Sequence, residues 1–277
     1  MSTTLIGWVG GKSKLVNEII ALIPEHKCYI EMFCGASWLL FSKPPSRAEI
    51  INDINTDLVT LYRVVKNHLK EFVRCMEWTL TSRGEYDRFK ALDPDTLTDI
   101  QRAVRFYFLV KNTYNNKIDW CSFNISTTSK PRMNLLRVEQ DLSDAHVRLS
   151  DVWIENKPYA YIFKRFDKPH SFMYIDPPYY NCETDYGKGI FFKEDFEKLR
   201  DLMRNCQSKF IMSINDDPYI RELYREFNIK TVKTSYSIAG GDHAKDVTEL
   251  LIMNYDPTKV QLAYHLPDNK KSPRKRA

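Results

Sequence analysis

Residues 172–181 read FMYIDPPYYN, and this segment sharply restricts the fold. Residues 172–175 have the composition of a buried strand, but residues 176–179 cannot extend it. Pro177 and Pro178 remove two backbone donors and fix φ, which stops both sheet and helix. The chain must therefore deliver an acid, Asp176, two rigid carbonyls and the ring of Tyr179 to the carboxyl end of an apolar strand. Elsewhere short apolar runs alternate with segments of helical period. Strands are expected at 28–33, 49–54, 209–214, 229–233 and 248–254. Helices are expected at 12–23, closed by Pro24, at 57–73 and 194–205, and from an Asp217 cap with Pro218 in the first turn to residue 227. Such alternation predicts an α/β fold with a largely parallel sheet covered on both faces. From about residue 74 it breaks, and helical stretches near 98–111 and 138–149 flank a polar segment, which predicts an insert.

Composition narrows the class. With 277 residues the chain can form one large domain or a domain with an insert, and 43 % hydrophobic against 28 % charged residues is globular. No apolar run approaches the ~20 residues of a membrane helix, and no basic segment precedes an apolar core at the N-terminus. The six cysteines form no C-x-x-C and have no partnering histidine pairs, so we expect no metal, no disulfide framework and a reduced, cytoplasmic protein. Net charge is +5, of which the last ten residues hold +4. That tail is either a solvated charge run or a loose phosphate contact.

Two further segments bear on a ligand. Residues 31–37, EMFCGAS, end the first strong strand, and a second strand ends at Asp53. In open α/β sheets a glycine at such a point lets a ligand approach the backbone, and an acid about 20 residues on takes ribose hydroxyls. Phe33 is placed to line a base or a sulfonium. Residues 7–13, GWVGGKS, miss the spacing of a phosphate loop, which disfavours ATP or GTP, although the glycines still suit close backbone approach.

The Asp-Pro-Pro-Tyr corner suits one kind of chemistry. A planar exocyclic amine such as N6 of adenine has a delocalised lone pair and is a poor nucleophile. Two acceptors aimed at its N–H bonds favour the pyramidal form and hold the developing charge. Asp176 offers a carboxylate oxygen, Pro177 a carbonyl fixed by the rings, and Tyr179 a stacking face. A base inside a duplex must be flipped out to reach them.

These segments together resemble the Dam-type (D12 class) DNA adenine-N6 methyltransferases. GWVGGK (7–12) is similar to the family's N-terminal S-adenosylmethionine motif, EMFCGAS to its E-P-F-x-G-x-G motif, INDIN (51–55) to its D-I-N segment, and DPPY (176–179) to its catalytic motif. FIMSIND (210–216) and TELLIMNY (248–255) resemble its late strands. The resemblance implies a Rossmann-like S-adenosylmethionine-dependent methyltransferase sheet with an inserted, mainly helical DNA-recognition domain. It implies a catalytic domain at 1–56 and 151–267, a target-recognition domain at 57–150 and a basic tail at 268–277. It implies S-adenosyl-L-methionine bound by Trp8, Gly10, Gly11, Lys12, Phe33, Gly35, Asp53, Tyr159 and Asp176, with Lys12 on cofactor or DNA. It implies catalysis by Asp176, Pro177, Pro178 and Tyr179. Double-stranded DNA is the expected partner of a monomeric enzyme, with or without a paired restriction enzyme. Met32 and Ser37 depart from the family's proline and second glycine, and Pro158-Tyr159 from its Asp-Phe.

Residues 111–137 carry a net charge of +4 with interleaved aromatics and amides, a mix suited to phosphates and base edges. LVKNTYNNK (109–117) resembles the start of the family's target-recognition segment. Asn112, Tyr114, Asn115, Lys130 and Arg132 are the expected DNA contacts. Two alternatives stay open: the same corner acting on cytosine N4, and a DNA-binding regulator with weak catalysis. Cytosine-C5 methylation is disfavoured, since no cysteine follows a proline.

Overall fold

The elements in chain order are α1 (Val16–Ile20), β1 (Cys28–Glu31), α2 (Trp38–Ser42), β2 (Ala48–Asn52), α3 (Thr56–Asn67), α4 (Leu69–Glu77), α5 (Arg83–Ala91), α6 (Asp99–Asn112), α7 (Leu135–Leu149), β3 (Val152–Glu155), α8 (Tyr159–Phe166), β4 (Ser171–Ile175), α9 (Lys193–Arg204), β5 (Lys209–Asn215), α10 (Pro218–Leu223), β6 (Asn228–Ser237) and β7 (Ala244–Met253). This computed structural model describes residues 4–7, 12, 14–113, 122–125, 127–128, 133, 135–183, 189–237 and 244–264, without the side chains of 135–137, 234–237 and 244–246.

The strands form one seven-stranded sheet in the order β3-β2-β1-β4-β5-β7-β6. The first five are parallel, and β7 runs antiparallel to both β5 and β6. From β1 the chain winds outward through β2 to β3, then returns to place β4 on the other side of β1. The winding direction therefore reverses between β1 and β4. At such a switch point the connections part and leave a crevice beyond the carboxyl ends of the strands, where α/β sheets bind ligands.

Alternation along each strand separates two cores. Tyr29, Ile51, Phe172, Tyr174, Ile211 and Leu251 face one layer, and Ile30, Ile50, Met173, Ile175, Met212 and Ile252 face the other. The second layer holds α8, α9 and α10 through Ile162, Phe196 and Ile220. The first continues without interruption into the segment between β2 and β3, through Leu58, Phe72, Phe106 and Leu142 of α3, α4, α6 and α7. That segment is mainly helical, and it shares the sheet's core.

Several boundaries differ from the sequence expectation. The helix expected at 12–23 is a single turn and a half, because Pro24 forces extended backbone before it and forms a bridge with Leu262. The helix expected at 57–73 is two, broken at His68 (φ −134°, ψ 33°), where a weak helix former follows Asn67. The helix capped by Asp217 ends at Leu223. α2, α5, β3 and α8 lie in stretches to which the sequence had assigned no element. Among the described residues no helix is long and apolar enough to cross a membrane, no metal-ligand cluster occurs, and five cysteines are free thiols.

Candidate active site

β1 is short because residues 32–37 must turn at the switch point. Gly35 (φ 46°) and Ser37 (φ 51°) both take left-handed backbone, and for Ser37 that conformation costs about 1 kcal/mol that glycine would not incur. The turn is held from three sides. Gly35 N–H donates to Asp53 Oδ2 (3.0 Å), Asn55 N–H to Asp53 Oδ1 (2.9 Å), and Tyr62 Oη–H to the Gly35 carbonyl (2.8 Å). Met32, standing where the resemblance expects proline, is buried and donates its N–H to the Tyr174 carbonyl (3.0 Å), a bond proline lacks. Tyr62→Phe leaves a buried carbonyl short of a donor and is expected to lower unfolding free energy by about 1–3 kcal/mol in urea; an unchanged midpoint would mean that the turn does not depend on this bond.

Beyond this turn lies a cavity of ≈ 190 Å³. Lys12, Phe33, Gly35, Asp53, Tyr159 and Asp176 all line it, which gathers on one site residues separated by up to 164 positions. Its wall is aromatic, with Phe33 5.8 Å from Tyr159 and 6.0 Å from Phe191, centroid to centroid. Tyr159 Oη–H donates to Asp195 Oδ1 (3.0 Å), so the position preceded by Pro158 still carries a polar pair. Trp8, Gly10 and Gly11 lie outside the described residues.

Asp176 follows β4, whose residues are all buried. Its Oδ1 accepts from Ser213 Oγ (2.8 Å) and pairs with Lys12 Nζ (3.0 Å). Among the described residues both partners fall on this one oxygen, which leaves Oδ2 as the acceptor for a ligand. The loop beyond is clamped by Asn215: Tyr180 N–H donates to its Oδ1 (2.9 Å) and its Nδ2 donates to the Tyr180 carbonyl (3.2 Å). Tyr180 stacks on Tyr219 at 4.9 Å, and Pro177 and Pro178 are buried. Lys12 Nζ also donates to Tyr179 Oη and lies 4.3 Å from that ring's centroid.

A strand-end acid beside a nucleoside-sized cavity is common to several transferase classes, and comparison with known proteins decides among them. The family model for D12 class N6 adenine-specific DNA methyltransferases matches residues 8–238. The chain belongs to this family. It is 26 % identical to the type II methyltransferase M.CviBI of Paramecium bursaria Chlorella virus NC1A, over 91 % of this chain and 99 % of that one. It is 27 % identical to the type II methyltransferase M1.LlaDCHI of Lactococcus lactis subsp. cremoris, over 90 % and 94 %. It is 28 % identical to the DNA adenine methylase of Escherichia coli strain K12, over 92 % and 96 %.

In this DNA adenine methyltransferase three carboxyls around the cavity are pushed above their ordinary pKa, while Asp195, although burial also pushes it up, is held below its own by the Phe192 N–H, Lys198 and Tyr159. Burial pushes Asp176 up to about 6, against the pull of Lys12 and Ser213 and with a further push from Glu249. Burial raises Glu31 to about 8 despite donors from Tyr29 and Leu40. Asp53 is raised by burial, opposed by the N–H groups of Asn55, Gly35 and Ile54.

Asn112 lies at the close of α6. It is 3 % exposed, and its amide donates to the Phe108 carbonyl (2.9 Å) while its own carbonyl accepts from Asn124 N–H (2.7 Å). Its side chain thus serves the close of α6, and its backbone carbonyl ties that end to residue 124. Tyr114, Asn115, Lys130 and Arg132 lie outside the described residues. Sequence reasoning did not single out Ser213, Asn215, Asp195 or Glu249. For the first two a signal exists: two polar residues two positions apart near the end of an otherwise apolar strand.

Proposed function

We propose that this methyltransferase transfers a methyl group from S-adenosylmethionine to N6 of an adenine flipped out of duplex DNA at a specific site. The observation that carries the reading is Asp176 at the switch point, one carboxylate oxygen immobilised by Lys12 and Ser213 and the other left for the amine. The cavity fits the cofactor chemically. The rings of Phe33, Tyr159 and Phe191 suit an adenine, and the Asp53 carboxylate keeps a lone pair for a ribose hydroxyl beside the backbone N–H groups of Gly35, Ile54 and Asn55. Trp8, Gly10, Gly11 and Lys12 complete that site in this reading. When bound, S-adenosylmethionine supplies an electrophilic methyl group on sulfur.

The chain's own residues do the rest. Asp176 and the Pro177 carbonyl accept the two N–H bonds of the target amine, which localises its lone pair and offsets the charge that develops. Pro177 and Pro178 fix that carbonyl, and Tyr179 stacks on the extruded base, offsetting part of its lost stacking. Asp176 also receives the proton that the methylated nitrogen must shed. Tyr114, Asn115, Lys130 and Arg132 contact the target DNA in this reading, residues 57–150 form the recognition domain, and the tail from 268 adds phosphate contacts. The enzyme acts as a monomer in a reducing cytoplasm, alone or beside a restriction enzyme.

Nucleoside analysis tests this. Unmethylated DNA of varied sequence, incubated with the protein and S-adenosylmethionine and then digested, is expected to yield N6-methyladenine by mass spectrometry. N4-methylcytosine would move the substrate to the other exocyclic amine. No modified base, with cofactor binding demonstrated, would leave a DNA-binding regulator.

A further inference from the structure

The aromatic end of the cavity holds a buried acid. Phe33, Tyr159 and Phe191 stand 5.8 to 6.0 Å from one another, centroid to centroid. Asp195 from α9 is 8 % exposed, and like the three rings it lines the cavity. Tyr159 opens α8 directly after Pro158, whose side chain offers no polar atom. The polar character of this wall therefore comes from the Tyr159 phenol and the Asp195 carboxylate, joined at 3.0 Å.

Counting donors and acceptors shows what this pair can offer. A carboxylate has about four lone-pair sites. Asp195 Oδ1 accepts from Tyr159 Oη and from Lys198 Nζ (3.0 Å), and Oδ2 accepts from the Phe192 N–H (2.9 Å). Among the described residues one site on Oδ2 is left. Burial pushes this carboxyl up, but the same three donors hold it below its ordinary value, so it is ionised at neutral pH. Burial raises the Tyr159 phenol and Asp195 raises it further, so the phenol keeps its proton and donates it to Asp195. Its oxygen is left with lone pairs alone. Lys198, whose side chain is 64 % exposed, does not line the cavity. The pair thus offers a ligand acceptors and no donor.

We infer that Tyr159 and Asp195 together read the exocyclic amine of the cofactor's adenine, and so select it over a purine that carries an oxygen at the same position. This inference rests on the cofactor assignment proposed above. For a base held against the three rings, an amino group on the edge facing the phenol donates to the Tyr159 oxygen or to Asp195 Oδ2. A 6-oxo group there sets acceptor against acceptor. The phenol can satisfy such a group only by turning its proton away from Asp195, which leaves a buried carboxylate short of a donor. The same pair also ties α8 to α9, but a tie alone has no bearing on which purine binds.

The test is equilibrium binding without DNA, by titration calorimetry, of two probes: S-adenosylhomocysteine and its 6-oxo analogue, S-inosylhomocysteine. Wild type is expected to bind the adenosyl form about 10- to 100-fold more tightly, the range for a hydrogen bond to a charge-assisted acceptor against the same acceptor left unmet. Tyr159→Phe keeps the ring and removes the hydroxyl, and should reduce that ratio by about fivefold or more. Asp195→Ala, a second variant in case the first fails to fold, frees the phenol proton to serve a 6-oxo group, so the ratio should fall to about one or invert. Equal binding of the two probes by wild type, or a ratio unchanged in either variant, would overturn the inference and leave the cofactor assignment standing. If wild type binds neither probe, the cofactor assignment fails and the inference falls with it.

Discussion

Asp176→Asn is expected to lower the single-turnover rate of methyl transfer by about 10²–10⁴-fold, the range for losing a charged acceptor that acts in the transition state. The geometry says why an isostere should fail. Oδ1 faces two donors, Ser213 Oγ and Lys12 Nζ. The oxygen of the substituted amide will stay on that side, because its NH₂ cannot accept from either. The NH₂ is then turned to the place of Oδ2, donor against donor with the substrate amine. A rate within tenfold of wild type would remove Asp176 from the chemistry.

The same variant should be more stable than wild type at neutral pH. A carboxyl raised from 3.8 to about 6 disfavours ionisation in the folded state. Between those two values the unfolded chain gives up its proton first, so stability falls as pH rises through the window and stays lower above it. Asparagine removes that penalty and leaves Lys12 paired with Glu249. The gain in melting temperature should be full at pH 7.5 and vanish below pH ~4, where the carboxyl is protonated in both states. Catalytic groups held against their preferred charge state commonly cost stability in this way.

How much of the fold and site can be read from the sequence depends on where the information resides. The central strands were legible because burial on both faces makes them continuous apolar runs, as in β4. β3 was not, because it lies at the sheet edge and points Trp153 outward, 70 % exposed. The break at His68 was hidden because the apolar residues continue across it, Val65 before and Phe72 after. In the site, Phe33, Gly35, Asp53 and Asp176 are read from local motifs at strand ends. Glu249 could not be, because its relation to Lys12 exists only through the antiparallel pairing of β7 with β5. The part Asn112 plays at the end of α6 was not legible, because an amide in a polar, basic stretch carries no sign that it donates back to the Phe108 carbonyl.

Glu49→Ala is expected to destabilise the fold by about 3–5 kcal/mol, the range for removing one partner of a buried ion pair. For a chain of this size that corresponds to roughly 10 °C in melting temperature. The Glu49 side chain is 4 % exposed and sits between Lys43 and Arg148, whose side chains are 0 % and 12 % exposed. It pairs with Lys43 Nζ, receives Arg148 Nη2 at 2.9 Å and accepts Ser46 N–H at 3.0 Å. Arg148 Nε donates to the Leu40 carbonyl (3.1 Å), so this cluster also joins the end of α7 to the sheet. Burial alone would raise the Glu49 carboxyl, but Arg148, Lys43 and Ser46 hold it below its ordinary value. In wild type its contribution is therefore present above the unfolded value near 4.5 and is lost as pH falls through the lower folded value. The variant should lack that acid-dependent step. It should also recover at high pH. Burial already lowers Lys43 to about 8, and without Glu49 the ammonium loses its main counter-charge, so the folded-state value falls further. An unfolded lysine keeps its proton to about 10.4, so the folded variant gains stability as pH rises through that window. Melting curves at pH 5, 7 and 9.5 should thus show the deficit shrinking with pH. In the double variant Glu49→Leu with Lys43→Met most of it should disappear at every pH, because an apolar pair needs no compensation. A deficit that does not depend on pH would mean that lost packing at residue 49, and not an orphaned charge, sets its size.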